Sequence, residues 1–477
     1  MGKFVSKLKN GHLGASSKKF IGVFTLSMLS VSAIVSLRNL PTTALLGTQT
    51  ITFFLAAGLC FFIPVALACA ELSSGWPKEG GVYLWVEEAF GADLGFLAVW
   101  LQWMESVVWL PTILSFIAAT FAYLINPSLE ANKLFLVGVM LIVLWGTTFV
   151  NFRGIKTSSL LSSMGVILGT LIPGLVLIVL GLTQLPSAEA KGYLQFSKET
   201  LIPSSDLGTL VTFTTILLGL GGMEIPAYHI TNVNNPKRSY PIAMFLATAI
   251  ILFIYIFGSL SIAAVIPKEK MSIIAGPMQA FHLFFNSFGL SWTAPLLAAL
   301  TLIGSFAILN TWIIGPSKGL LSSAKEGYMP KFFMRTNAKE SPVSLLYLQA
   351  ICGTLLISLF IFNPSIHAAY WIVNTLAAQL YLMMYFIMFL SLIKLRYSQP
   401  NIARSYKVPG GMLGIWIVGG LGALSCLAAF FIGFIRPTDI EVHQTAPQYA
   451  LLLLGGIFIS CIPPFIFIQN NKRLQQR

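Results

Sequence analysis

The chain has 477 residues, 56% of them hydrophobic and only 9% charged. A soluble domain carries roughly 25% charged residues, so this composition excludes a soluble globular protein and makes lipid the solvent for most of the chain. The net charge of +13 alone would suit a polyanionic partner, so the placement of the basic residues decides what it means.

A helix crosses a bilayer with about 20 apolar residues. Twelve such runs follow one another, at 20–44, 50–72, 95–126, 133–151, 157–183, 207–230, 239–266, 291–322, 343–363, 366–395, 412–436 and 449–469. The third, eighth and tenth are long enough to tilt or to project beyond the membrane. Between the ninth and tenth, "NPSIH" (Asn363–His367) leaves little room for a turn. No segment shows the short alternating pattern of a membrane barrel, so an all-α membrane protein is expected. No signal-peptidase signature follows the first run, which is expected to be retained.

With the N-terminus placed in the cytoplasm, the 29 Lys and Arg sort unevenly. Twenty-two fall on the cytoplasmic side, from Lys3 and Lys7 through Lys237 and Arg238 to Lys472, Arg473 and Arg477. Six fall on the other side (Lys133, Lys191, Lys198, Lys268, Lys270 and Arg436), and Arg38 lies within the membrane. This bias predicts that both termini are cytoplasmic, and it accounts for most of the basic balance without a nucleic-acid partner. A compact twelve-run chain with short tails suits a bacterial inner membrane. The five cysteines (Cys60, Cys69, Cys352, Cys426, Cys461) sit in apolar runs without CxxC spacing, so packing is their expected role. Neither a metal nor a cofactor is expected.

Two runs are interrupted. Run six contains "LGLGGMEIPAYH" (Leu218–His229), and run one contains "SVSAIVSLRNLP" (Ser30–Pro41). They stand five segments apart, and interrupted segments in corresponding positions point to a solute site in membrane carriers. A broken helix frees N–H groups at the start of one half and C=O groups at the end of the other. Those groups are costly in lipid and are tolerated where they line a cavity. Freed N–H groups attract a carboxylate, and freed C=O groups attract an ammonium. The carboxylate side is expected at Val35, Ser36 and Leu37 with the Ser32 and Ser36 hydroxyls, and the ammonium side near Leu218–Gly221. Gly219, Gly221 and Gly222 let the backbone unwind, and Pro226 helps to hold the break open.

Glycines in membrane helices also serve simple close packing, and Glu224 has an alternative role as an anchor of internal hydrogen bonds. As a functional group, Glu224 would bind a cationic moiety or take up a proton. Glu105 is a second proton-coupling candidate. Arg38 has three candidate partners: a bound carboxylate, Glu224, or the outer vestibule. His229 is a proton site or an interfacial histidine. Trp103, Tyr381 and Tyr385 are candidate walls of the pocket, by stacking and cation–π contact. Glu71, at the cytoplasmic end of run two, is expected to cap or gate.

"GGMEIPAYHITNVNNPKRSYPIAM" (Gly221–Met244) resembles the sixth-helix signature of the amino acid–polyamine–organocation transporters, with its N-P-x-R-x-x-P-x-A loop at Asn235–Ala243. "PVALACAELSSGWPKEGGVYLWVEEAFG" (Pro64–Gly91), "GPSKGLLSSAKEGYMP" (Gly315–Pro330) and "RSYKVPGG" (Arg404–Gly411) resemble further family motifs in the same order. "WIIGPSKG" (Trp312–Gly319) and the Tyr381–Tyr385 pair are similar to the glutamate/γ-aminobutyrate antiporter branch. Three features depart from it: Ile34, Val35 and Ser36 stand where a G-S-G break is usual, Arg38 is unexpected, and Ile308 stands about where that branch carries an acid. The resemblance implies two inverted five-helix repeats, 20–183 and 207–395. The cytoplasmic segment 1–19, helices eleven and twelve at 412–469, and a short tail at 470–477 complete the chain. It also implies amino-acid transport by alternating access, as an antiporter or coupled to protons. A polyamine or cationic-amine carrier and a non-transporting sensor on the same fold are the alternatives. An enzyme would need a clustered nucleophile–base or metal set, and the five histidines (His12, His229, His282, His367, His443) are scattered. The sequence leaves the substrate, the coupling ion and the oligomeric state open.

Overall fold

The computed structural model describes residues 21–78, 80–152, 164–190, 194–202, 207–339, 341–362, 365–437, 442 and 444–475. The expected N-terminal segment, the start of run five, His12 and His443 lie outside the described residues, as does the side chain of His229. Among the described residues there is no strand. An isolated bridge pairs Ile21 with Val233.

The helices are α1 (Val23–Ile34), α2 (Leu40–Ala44), α3 (Gln49–Gly75), α4 (Val82–Phe90), α5 (Ala92–Ile125), α6 (Lys133–Asn151) and α7 (Met164–Ser187). Then come α8 (Leu207–Gly219), α9 (Pro236–Ala263), α10 (Gly276–Ser287), α11 (Ala294–Ser323), α12 (Val343–Phe362), α13 (Ile366–Ser398), α14 (Gly411–Ile432) and α15 (Ala446–Gln475). Among the described residues, eleven segments are long and apolar enough to cross a membrane. Run six adds a short apolar helix, Leu210–Gly219, instead of a twelfth continuous span, because its chain unwinds after Gly219. The chain is thus an integral, multi-pass membrane protein.

Burial sorts the helices into inner and outer sets. In α5 and α13, 78% of the most apolar stretch is buried, against 17% in α15, so α5 and α13 form the centre and α15 faces lipid. Polar side chains follow the same division. Gln102, Glu105, Ser106, Asn374 and Gln379 are buried in the two central helices, away from lipid. Helices α7 and α11 cross so closely at Gly169 and Gly304 that a Cβ on either glycine would overlap the other's backbone.

One end of the bundle carries the connections rich in Lys and Arg and is called the basic face below. Here Glu71, at the end of α3, clamps two arginines. Arg396 donates from Nε to Oε1 at 2.8 Å and from Nη2 to Oε2 at 2.6 Å. Arg404 Nε lies 3.4 Å from Oε1, and the Val408 N–H donates to Oε2 at 2.7 Å. The clamp ties α3 to the end of α13 and to the loop that leads into α14. Glu71 was expected to cap or gate; its observed contacts are those of an ion-pair clamp between segments distant in sequence.

The same face holds an acidic cluster. Tyr83 donates to Glu326 and also meets Glu87, while Tyr328 donates to Asp93 at 2.8 Å. Burial, and then the neighbouring Glu326 carboxylate, push the Glu87 carboxyl above its ordinary value. A carboxyl raised in the folded state favours the fold when protonated, and that contribution is lost as pH rises through its folded value.

Two outcomes are expected. Removing one partner of a buried ion pair costs about 3–5 kcal/mol, so Glu71→Ala should clearly lower the Tm of the purified protein. Glu87→Gln should raise the Tm more at about pH 7.5 than at about pH 4.5, as followed by tryptophan fluorescence on heating.

Candidate functional site

Helix α1 stops at Ile34 because Val35 and Ser36 are extended, and a 3-10 turn, Leu37–Asn39, leads into α2. Helix α8 stops at Gly219, and a 3-10 segment begins again at Ile225. Gly222 has φ +126°, and a Cβ there would sit 2.9 Å from Ile34 Cγ1 and 3.2 Å from the Ala33 carbonyl oxygen. Glycine is required here both by the backbone angle and by the close approach of the two breaks.

Aromatic side chains from neighbouring helices partner the freed backbone groups. The Tyr255 hydroxyl, on α9, lies 2.5 Å from the Ile34 carbonyl and 3.1 Å from the Gly219 carbonyl, so it meets the C-terminal ends of both α1 and α8. It also accepts from Asn39 Nδ2 at 3.0 Å and from the Ser36 N–H at 3.4 Å. Trp312 Nε1, on α11, donates to the Ala33 carbonyl at 2.8 Å. The Gly222 N–H donates to the Tyr385 hydroxyl, on α13, at 2.7 Å.

Glu224 is fully buried at the start of the second half of run six, where the helix dipole favours a negative charge. Its Oε1 accepts from Gln102 Nε2 at 2.7 Å and from the Tyr381 hydroxyl, and its Oε2 accepts from the Tyr385 hydroxyl at 2.5 Å. Gln102 in turn accepts from the Tyr228 hydroxyl. Glu224 therefore pins run six to α5 and α13. Tyr381 and Tyr385 are four residues apart and present both hydroxyls on one face of α13.

Between the two breaks lies a cavity of about 20 Å³, room for about one water. Ser36, Arg38 and Asn39 line it on one side, and Leu218, Gly219 and Gly221 on the other. Glu105, Trp109, Ile308, Trp312 and Tyr381 close the remaining walls. Trp312 packs against Trp109 with ring centres 5.6 Å apart and meets Tyr381 edge-on at 5.8 Å. Arg38 is 2% exposed. Its Nη1 donates to the Tyr370 hydroxyl at 2.8 Å and to Asn374 Oδ1 at 3.2 Å, and the guanidinium stands 5.4 Å from the Trp109 ring centre. Of its three candidate partners, Glu224 is not reached: no ion pair joins them among the described residues, and Glu224 is occupied by Gln102, Tyr381 and Tyr385. Three polar atoms of the lining residues are buried without a partner: Ser36 Oγ, Arg38 Nε and Glu105 Oε2. No cluster of three metal-ligating side chains occurs among the described residues.

The structure thus brings Ser36, Arg38, Gly219, Gly221, Glu105 and Tyr381 to one cavity. Glu224, Gly222 and Tyr385 stand directly behind it. Val35 and Leu37 are buried in the run-one break, and Ser32 Oγ is buried one turn before it, without a partner. Trp103 lies elsewhere, packed against Trp100 with ring centres 5.4 Å apart in a cluster with Phe96, Leu320 and Tyr328. Two residues along a helix turn the side chain about 200°, so Trp103 and Glu105 face different sides. Gln102, Glu105 and Trp109, at i, i+3 and i+7, share one stripe of α5. Counting from Glu105 would have selected Gln102 and Trp109 from the sequence. Tyr255 offers no such signal, because a tyrosine within an apolar run also reads as an interface anchor.

Two variants test this geometry. Gly222→Ala forces a disfavoured φ and a clash with Ile34, and it should abolish function while lowering the Tm. Tyr255→Phe removes one hydroxyl that serves both breaks. Leaving buried polar groups unpaired costs about 1–3 kcal/mol each, so it should destabilise by that order in thermal unfolding.

The family model for amino acid permeases matches residues 21–458. An uncharacterised transporter of Legionella pneumophila is 42% identical over 455 residues, covering 95% of this chain and 98% of that protein. A glutamate/γ-aminobutyrate antiporter of Lactococcus lactis is 31% identical over 464 residues, covering 96% of this chain and 92% of that protein. A probable agmatine/putrescine antiporter of Lactococcus lactis is 24% identical over 400 residues, covering 82% and 83% respectively. With two interrupted helices enclosing a polar cavity and a family match over most of its length, the chain belongs to the amino acid permease family of the amino acid–polyamine–organocation superfamily, alongside the glutamate/γ-aminobutyrate antiporters.

Proposed function

We propose that the protein is a secondary amino-acid transporter that works by alternating access and exchanges one amino acid for another. The observation that carries this reading is the cavity between the two breaks, with the unpaired polar atoms Ser36 Oγ, Arg38 Nε and Glu105 Oε2 at its wall. Buried polar atoms without partners are costly, and a bound polar solute would satisfy them. The similarity to an antiporter of Lactococcus lactis supports exchange. At about 20 Å³ the cavity is closed around less than an amino acid, so binding requires the walls to part.

In this mechanism the run-one and run-six breaks move relative to α5, α11 and α13, alternately opening the cavity to each face. Two inverted repeats, 20–183 and 207–395, supply the symmetry for that motion. Tyr255 holds the two breaks together, and Glu224 couples them to α13 through Tyr381 and Tyr385. Glu224 and Glu105 are the groups through which a proton would be carried. The excess of Lys and Arg on the basic face supports a reading with both termini in the cytoplasm and the protein in a bacterial inner membrane.

The test is uptake of a panel of labelled amino acids into proteoliposomes, preloaded with mixed amino acids or empty, with and without a pH gradient. Uptake that requires internal amino acid is expected. Uptake into empty vesicles driven by a pH gradient would assign proton symport instead, and no flux of any amino acid would overturn the reading. Glu224→Gln keeps the shape but leaves the NH₂ group facing hydroxyl donors, and it should lower exchange at least about tenfold, or 1.4 kcal/mol.

A further inference from the structure

The cavity wall carries one basic and one acidic side chain, and neither is Glu224. Arg38 and Glu105 are each 2% exposed, and both line the cavity. Tyr370 and Asn374 use Nη1 of Arg38, yet its Nε has no partner. Glu105 Oε2 has none either. No ion pair joins the two among the described residues, so they do not cancel each other by direct contact. Glu224, by contrast, accepts three side-chain hydrogen bonds behind Tyr381 and does not line the cavity.

From this we infer that Arg38 and Glu105 set the charge selectivity of the site, and that its substrate is a zwitterion with one carboxylate, one ammonium and an uncharged remainder. This rests on the reading of the protein as an amino-acid transporter. The carboxylate meets Arg38 Nε and the ammonium meets Glu105 Oε2, which fills two of the three unsatisfied buried positions with complementary partners. The rest of the wall includes Ile308, Trp109, Trp312 and the Tyr381 ring together with the neutral polar side chains of Ser36 and Asn39, and it holds no further charged side chain. A second carboxylate or a second ammonium would be buried unpaired, so dicarboxylic amino acids and diamines are rejected.

The experiment is exchange in proteoliposomes at neutral pH with labelled neutral amino acids and γ-aminobutyrate, set against glutamate and agmatine. The wild type should prefer a zwitterion without further charge at least tenfold in kcat/KM over both charged competitors. Glu105→Gln leaves Arg38 unopposed and should raise the glutamate-to-neutral ratio at least tenfold. Arg38→Gln leaves Glu105 unopposed and should raise the agmatine-to-neutral ratio by a similar factor. Wild-type preference for glutamate or agmatine would overturn the inference, whether or not the variants fold. So would folded variants, verified by size-exclusion chromatography, whose ratios match the wild type. Absence of flux for every compound would instead count against the transporter reading itself.

Discussion

Two helices are interrupted at membrane depth, and each interruption leaves backbone carbonyls and amides that lipid cannot satisfy. The remainder of the site is arranged around that demand. Tyr255 meets the last carbonyls of both α1 and α8, Trp312 meets the Ala33 carbonyl, and Tyr385 receives the Gly222 amide. An aromatic side chain suits this task because its ring packs in an apolar wall while its polar tip reaches the backbone. The same three residues stabilise the breaks, and Trp312 also lines the space between them. Their helices, α9, α11 and α13, are thereby committed to surround runs one and six.

The buried charges divide into two kinds. Glu71 and Glu224 are each held by three or more polar contacts, and they join segments of chain that are distant in sequence. Arg38 and Glu105 keep a free donor and a free acceptor at a cavity. In a low-dielectric interior the first arrangement is what a structural ion needs, and the second is what a site for a polar solute needs. This division turns Glu224 from the obvious candidate for direct contact into the group that fixes the geometry behind the pocket.

Both breaks could be read from sequence because glycine, proline, arginine and a carboxylate are each anomalous in an apolar run. The Tyr381–Tyr385 pair was legible as well, since a spacing of four places two side chains on one helix face. Trp103 was named as a pocket wall and Trp109 was not, because the helical phase of α5, counted from Glu105, is what separates them. Tyr255 was not legible, because its role depends on where α9 passes the ends of two other helices, and no local pattern encodes that. Among the described residues the twelve apolar runs correspond to eleven long segments, the broken run one included, and a short helix in run six, since hydropathy alone does not see the backbone unwind after Gly219. Membership of the amino acid permease family follows from motifs spread along the chain, whereas the proposed charge selectivity rests on Arg38 and Glu105, which come together only in the fold.

The most direct test of the account is a structure of the protein, by electron cryo-microscopy, with its best-exchanged amino acid bound. The account predicts density between Ser36–Asn39 and Leu218–Gly221, with the carboxylate beside Arg38 and the ammonium beside Glu105. Density instead in the pocket at the basic face between Tyr328, Phe467 and Arg473, with the space between the two breaks unchanged, would contradict it.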